Sequence, residues 1–265
     1  MIAQGVRRLI LPAFRQVNLG DITISHHWTG DALRLHSFRH KGYWWYGRGR
    51  ERQNMELFCK LVRRGSTVIE IGGHIGYVAQ YFSMLTGPQG RVFCFEPSPE
   101  NLRYLRVNAA QSSRENICIV EAAVGERDEM APFFFETITG QNCTVVSDFS
   151  GFEVNSSYNG LPADYQTCTV SMRRLDSFVT EHSIRPEFVK IDAEGGELGI
   201  LSGMPQTLAA GPRLMVEINT HREQVLAILA GAKYRVFDAS AQDSANVFAI
   251  HADDRQGMEI MEQLR

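Results

Sequence analysis

The chain has 265 residues, enough for one α/β domain with a short extension and too few to require two. Charged residues make up 22% and the formal net charge is −3, so neither nucleic acid nor an anionic membrane is expected as the main partner.

The opening segment, Met1 to Phe14, pairs arginines with a short apolar stretch that Pro12 and Arg15 interrupt. That is too early for a signal peptide, and no later run reaches the roughly 18 apolar residues of a membrane span. A cytoplasmic protein is expected, with a peripheral contact through Arg7–Phe14 as a weaker alternative. Residues up to about 65 are irregular in pattern. They hold the aromatic cluster Tyr43, Trp44, Trp45 and Tyr46, then Met55, Leu57, Phe58, Leu61 and Val62 at helical spacing. The aromatics could wall or cover a cleft, or simply fill core. Arg48, Arg50 and Arg52 could bind an anionic substrate, or form a solvated helix start.

From Ser66 short apolar strands alternate with helical stretches. Strands are expected at Thr67–Ile71, Arg91–Phe95, Ile117–Val124, Phe188–Asp192, Arg213–Ile218, Tyr234–Phe237 and Val247–Ile250. Helices are expected at Ile75–Leu85, Asn101–Gln111, Glu197–Ala209 and Arg222–Leu229. Near-continuous Val, Ile and Phe runs are what strands buried on both faces require, which makes the sheet largely parallel. Between Gly125 and Leu175 the alternation breaks. About fifty residues there, rich in Ser, Thr, Asn and Gly, read as two or more antiparallel strands with a long loop that recognises substrate. The five cysteines form no CxxC pair, and the reading favoured is buried reduced thiols, with Cys94 and Cys118 in strands.

Three strand ends carry candidate ligand-binding residues. Glu70-Ile71-Gly72-Gly73-His74-Ile75-Gly76 joins the first of these strands to its helix. His74 and Tyr77 occupy positions where GxGxxG would need glycine, and no phosphate-cradling GxxxxGK[ST] is present. An acidic residue before the glycines suits S-adenosylmethionine, which carries a sulfonium and an α-ammonium and has no pyrophosphate. Glu96, followed by Pro97, closes the next strand 20 residues after Gly76, the place of a carboxylate that accepts from a ribose diol. The alternative is that Glu96 only caps the following helix. Ala122 and Ala123, after Glu121, leave room for a flat adenine ring, although small residues also serve helix–sheet packing.

A cofactor of that kind donates a methyl group, and a transfer from it would need donor and acceptor aligned and often a base for the acceptor's proton. Asp192, which closes the strand Phe188–Asp192, and Glu194, two residues later, are candidates. Either could be catalytic, or Asp192 could bind the cofactor's ammonium while Glu194 caps a helix. His221 and His74 are further candidate bases. Asp192, Glu217 and Asn219 could together offer oxygen ligands to Mg²⁺, but polar residues satisfying loop backbone are the simpler reading, so no metal ligand is assigned.

Taken together, VIEIGGHIGY, VFCFEPSPENLRYLRVN, EAAVG, Arg174-Leu175-Asp176-Ser177-Phe178, VKIDAEGGELGIL and LMVEI, in this order, resemble the FkbM family of methyltransferases over roughly residues 43–250. The resemblance implies an α/β, doubly wound, Rossmann-like sheet of seven mostly parallel strands with an antiparallel last strand. The resemblance also implies S-adenosyl-L-methionine as cofactor and O-methylation of a hydroxyl on a sugar, polyketide or related small metabolite. The pattern along the chain makes residues 1–65 an N-terminal extension or lid, and 66–265 the catalytic domain with its insertion at about 125–175. By the resemblance Glu70, Gly72 and Gly76 would line the methionine end, Glu96 would hold the ribose and Ala123 would lie by the adenine; Gly73 and Pro97, inside the same two motifs, are also expected to be cofactor-binding, Pro97 by fixing the turn after Glu96. Where the family often has histidine between the Gly and Glu of its EG-x-E segment, this chain has Gly196. An NAD-dependent oxidoreductase or epimerase would share the fold, but no tyrosine is followed four residues on by lysine. A non-catalytic relative would have lost the acidic and glycine positions that remain here.

Overall fold

The computed structural model describes residues 18–136, 141, 143–146, 165–240 and 243–264. The Arg7–Phe14 segment and the middle of the expected insertion lie outside the described residues. In chain order the elements are β1 (Asp21–Ser25), β2 (Ala32–His36), α1 (Lys41–Tyr46), α2 (Arg52–Leu61), β3 (Thr67–Ile71), α3 (Tyr77–Thr86), β4 (Arg91–Phe95), α4 (Pro99–Ala110), β5 (Ile117–Val120), β6 (Ala123–Val124), β7 (Glu129–Glu136) and β8 (Cys143–Thr144). They continue as β9 (Tyr165–Arg173), α5 (Leu175–Glu181), β10 (Phe188–Ile191), α6 (Glu197–Ser202), α7 (Pro205–Ala209), β11 (Arg213–Glu217), α8 (Arg222–Gly231), β12 (Tyr234–Ser240), β13 (Asp243–His251) and α9 (Arg255–Glu262).

Seven strands form the main sheet in the order β12-β13-β11-β10-β3-β4-β5. The five from β11 to β5 run parallel, and β13, the last strand of the chain, is antiparallel to both β11 and β12. The apolar residues of each strand divide by parity, as the two-residue repeat of a strand dictates. Val68, Val92, Cys94, Phe188 and Met215 face one core, together with Leu33 and Leu35 of the β1–β2 hairpin and Met55, Phe58 and Leu61 of α2. Ile69, Ile71, Phe93, Phe95, Val189, Ile191, Leu214 and Val216 face a second core closed by α5, α6 and α8. The N-terminal hairpin and α2 therefore share the main core.

Three expectations need correcting. The apolar run Ile117–Val124 is not one strand. β5 ends at Val120, the amide of Ala122 turns back to the Val120 carbonyl at 2.9 Å, and Ala123–Val124 joins a different sheet of order β6-β9-β7-β8. The stretch Glu197–Ala209 is two helices, because Gly203 and Met204 interrupt it and Pro205, with no N–H to give, opens the second. Of the five cysteines expected to be buried, only Cys94 is; Cys143 and Cys168 are half-buried, and Cys59 and Cys118 are exposed, Cys118 because β5 is the edge strand. In the second sheet β7 and β9 pair antiparallel from Glu129↔Met172 to Glu136↔Tyr165. Among the described residues no helix is long and apolar enough to cross a membrane.

Candidate active site

Parallel strands aim their carboxyl ends at one edge of the sheet, and the loops that leave them enclose a cleft there. Its cavity measures about 290 Å³. Gly72 and His74 after β3, Glu96 and Pro97 after β4, Asp192, Ala193, Glu194 and Gly196 after β10, and Glu217 at the end of β11 form its floor. Ala122–Val124, Phe133 and Cys143–Val145 form one wall, and Tyr43, Arg50 and Glu51, from the segment before β3, form the other.

The loop after β3 leaves the strand sharply. Gly72 has φ +85°, and a Cβ there would overlap the Asp192 carbonyl oxygen, so only glycine fits between the ends of β3 and β10. The Gly72 and Gly73 amides both donate to the Phe95 carbonyl, at 3.1 and 3.0 Å, which folds the loop toward β4. Gly73 and Gly76 do not line the cleft. A Cβ at Gly73 would overlap the Cys94 sulfur, and one at Gly76 would lie 2.7 Å from Leu105 Cδ1, so both are small to let α4 and β4 pack close. Gly76, at φ +86°, is the N-cap of α3, which is why that helix begins at Tyr77 and not at Ile75.

Glu96 is 3% exposed and its carboxylate is held from both sides. Oε2 accepts from the His74 amide at 2.7 Å, while Oε1 accepts from the Ser98 amide at 2.9 Å and Asn101 Nδ2 at 3.3 Å. Ser98, not Glu96, caps α4, with Pro99 at its first turn. Burial pushes the Glu96 carboxyl up to about 7 against these hydrogen bonds. Asn101, two residues into α4, both lines the cleft and supports Glu96, a role its place in a helix motif does not reveal.

Glu70 is 1% exposed and does not line the cleft; it lies beneath. Lys190, opposite it in register on β10, places Nζ 3.7 Å from Glu70 Oε1 and 2.9 Å from Asp192 Oδ2. Cys94 Sγ donates to Glu70 Oε2 at 3.6 Å. Burial pushes the Glu70 carboxyl up to about 7, even with Lys190 pulling it down. Burial opposes the charge on Lys190 as well, yet the Asp192 and Glu70 carboxylates more than offset that and hold its pKa above the ordinary lysine range.

Asp192 is the exposed end of this chain, its side chain 29% accessible. Burial would raise its pKa, but the Lys190 ammonium and a hydrogen bond with Glu217 outweigh that and keep it ionised. Glu217 moves the opposite way: the Asp192 charge and burial hold it protonated, so it donates the shared hydrogen bond. Glu194 is also pushed up, by burial and by Asp192 and Glu197. Glu197 is fully buried; Oε1 accepts from the Gly195 amide at 2.8 Å, and burial drives its carboxyl up to about 7.

Among the described residues, seven that are not glycine have a left-handed backbone, and three of them, Glu51, His74 and Glu194, line this cleft. Such strain of about 1–2 kcal/mol each gathers where the surrounding structure enforces a site.

Of the other expected site residues, Ala123 is 7% exposed and lines the cleft beside Ala122. His221 is exposed, caps α8 and lies outside the lining, as does the exposed Asn219, whose Nδ2 reaches Glu194 Oε2 at 3.5 Å. The trio Asp192, Glu217 and Asn219 thus does not converge on one point in the cleft. Among the described residues, no group of three or more His, Cys, Asp or Glu side chains is arranged to hold a metal ion. Of the three arginines considered, Arg48 lies over the Trp28 ring and Arg52 pairs with Glu56, so only Arg50 enters the cleft. Glu51 and the β8 residues Cys143 and Thr144 are lining residues that strand periodicity had no means of reaching.

Residues 70–236 match the family described as the methyltransferase FkbM domain. That is more than half of the chain, which therefore belongs to this family. A protein named methyltransferase 1 from Beauveria bassiana (strain ARSEF 2860) is 23% identical over 146 residues, covering 52% of this chain and 58% of that protein. A protein-L-isoaspartate O-methyltransferase from Methanothrix thermoacetophila is 32% identical over 81 residues, covering 29% of this chain and 38% of its own. The chain thus spans less than two thirds of the length of either curated relative. A crystal structure of precorrin-6y C5,15-methyltransferase from Geobacter metallireducens GS-15 superposes with a TM-score of 0.42 at 16% identity, over 76% of this chain and 87% of that one.

Proposed function

We propose that this member of the FkbM methyltransferase family transfers a methyl group from S-adenosylmethionine to a hydroxyl oxygen of a small metabolite such as a sugar or polyketide. The observation that carries the reading is the row of carboxylates at neighbouring strand ends, with Glu96 after β4, Asp192 and Glu194 after β10, and Glu217 on β11. The ionised Asp192 within this row repels a pyrophosphate cofactor and complements a sulfonium or an ammonium. S-adenosylmethionine, when bound, supplies an electrophilic methyl on a good leaving group.

In this reading Glu96 accepts from the ribose diol, using the lone pairs its backbone donors leave open. Ala122 and Ala123 leave space for the adenine. Asp192, pinned by Lys190 and Glu217, is a fixed negative charge for the cofactor's ammonium. Asp192 is held by Lys190 and Glu217, so the acceptor's proton goes to the neighbouring cleft-lining Glu194, which acts as the base in its ionised form. His221 takes no part. Gly196 lines the cleft where relatives often carry histidine, and a Cβ there would meet the Ala193 carbonyl at 3.3 Å. The missing side chain leaves room for a bulkier acceptor.

Calorimetric titration with S-adenosylhomocysteine, with NAD in parallel, tests the cofactor. Micromolar binding of the first and none of the second is expected, and Glu96→Ala is expected to weaken that binding by ~1–3 kcal/mol. Binding of NAD alone would overturn the reading. Screening hydroxylated acceptors with Glu194→Gln then tests the base, since kcat should collapse while cofactor affinity holds.

A further inference from the structure

Resting on that reading of the cofactor, we propose that Arg50 binds the methionine carboxylate of the cofactor, which makes the N-terminal segment part of the cofactor site. Five carboxylates line the cleft, from Glu51, Glu96, Asp192, Glu194 and Glu217, and Arg50 is the one Lys or Arg side chain among the described lining residues. A zwitterionic amino-acid tail beside a sulfonium carries one negative group, and one guanidinium is offered to it.

The state of Arg50 itself asks for an anion. Its guanidinium lies 4.2 Å from the centroid of the Tyr43 ring, and Tyr43 is 5% exposed. Nε is buried and has no hydrogen-bond partner among the described residues. Arg50 also makes no ion pair within 4.0 Å there, unlike the buried Arg213, which grips Asp254 through Nε at 2.6 Å and Nη2 at 3.2 Å. A buried cation is ordinarily paired with an anion, so a desolvated arginine held by the ring and a hydrogen bond of the neutral Tyr43, with Nε idle, is poised for a ligand anion.

Its position fits the amino-acid end of the cofactor. Tyr43, which carries Arg50 on its ring, shares a 2.9 Å hydrogen bond between its hydroxyl and His74 Nδ1. His74 belongs to the loop that Gly72 begins, beside Asp192. Arg50 and Asp192 thus flank one loop, the first to take a carboxylate and the second an ammonium.

The test is a pair of ligands that differ by the amino-acid tail. Wild type, Arg50→Lys and Arg50→Met are titrated with S-adenosylhomocysteine and with 5′-methylthioadenosine, which keeps the nucleoside and lacks the carboxylate and ammonium. Arg50→Met should lose about 10- to 100-fold in affinity for the first and less than about 3-fold for the second, with Arg50→Lys between. Retained methylthioadenosine binding also shows that the variant is folded. Equal losses for both ligands would assign Arg50 to structure and overturn the proposal, as would undiminished affinity of Arg50→Met for S-adenosylhomocysteine. Failure of wild type to bind either ligand would instead overturn the cofactor reading, and this proposal with it.

Discussion

The chain Glu70–Lys190–Asp192–Glu217 makes a quantitative prediction about stability. Lys190 Nζ is 2.9 Å from Asp192 and 3.7 Å from Glu70, and Glu217 keeps a proton because Asp192 is ionised beside it. Removing Glu217's acidity alone changes little. In Glu217→Gln the amide can donate to Asp192 as the protonated acid did, so the cost is less than about 1 kcal/mol. In Asp192→Asn the reason for Glu217's proton disappears. Glu217 then ionises and takes over as counter-charge, limiting the loss to about 1–2 kcal/mol. With both substitutions Lys190 keeps only Glu70, and stripping a partner from a buried charge costs about 3–5 kcal/mol. At the middle of these ranges the double variant exceeds the sum of the singles by about 2 kcal/mol. Urea unfolding of the four proteins at pH 7 measures it. Additivity within about 0.5 kcal/mol would refute the reasoning, because uncoupled sites add to that accuracy.

Gly72→Ala must place a Cβ against the Asp192 carbonyl at a left-handed φ, so it should lower stability by more than about 3 kcal/mol and abolish cofactor binding; wild-type melting would show that the two loops are not packed as described. Stability should also fall as pH rises from about 4.5 through 7. Glu70, Glu96 and Glu197 are each pushed up to about 7, so folding favours their protonated forms; the stabilisation is complete below the ordinary carboxylate range and lost as pH passes their folded values. For Glu197 alone the change is about 3 kcal/mol at most, and Glu197→Gln should flatten that part of a pH series of urea midpoints; an unchanged slope would count against it.

Strand periodicity and motif spacing located the floor of the cleft well. Glu96 and Asp192 are legible because each follows a short apolar run, and a parallel strand delivers its last residues to the same edge. The glycines were legible only as glycines: spacing could not tell that Gly72 meets the Asp192 carbonyl while Gly73 and Gly76 meet Cys94 and Leu105. His221 looked close to the site because it follows β11 by four residues, but the turn into α8 carries it to the exposed surface. Arg50 and Glu51 precede β3 by more than a dozen residues, and nothing in helical spacing says that this segment folds back across the strand ends. The run Ile117–Val124 shows the same limit, since hydrophobicity does not record which sheet a residue joins.

That change of sheet separates two inheritances within one cleft. Glu96, Gly72 and Asp192 stand on the seven-stranded sheet, whose spacing fixes them relative to one another. Phe133, Cys143 and Thr144 stand on the smaller sheet, where Ala123 pairs with Met172. Substitutions on β7 or β8 can therefore remould the outer wall, and with it the choice of acceptor, while the carboxylates beneath keep their places.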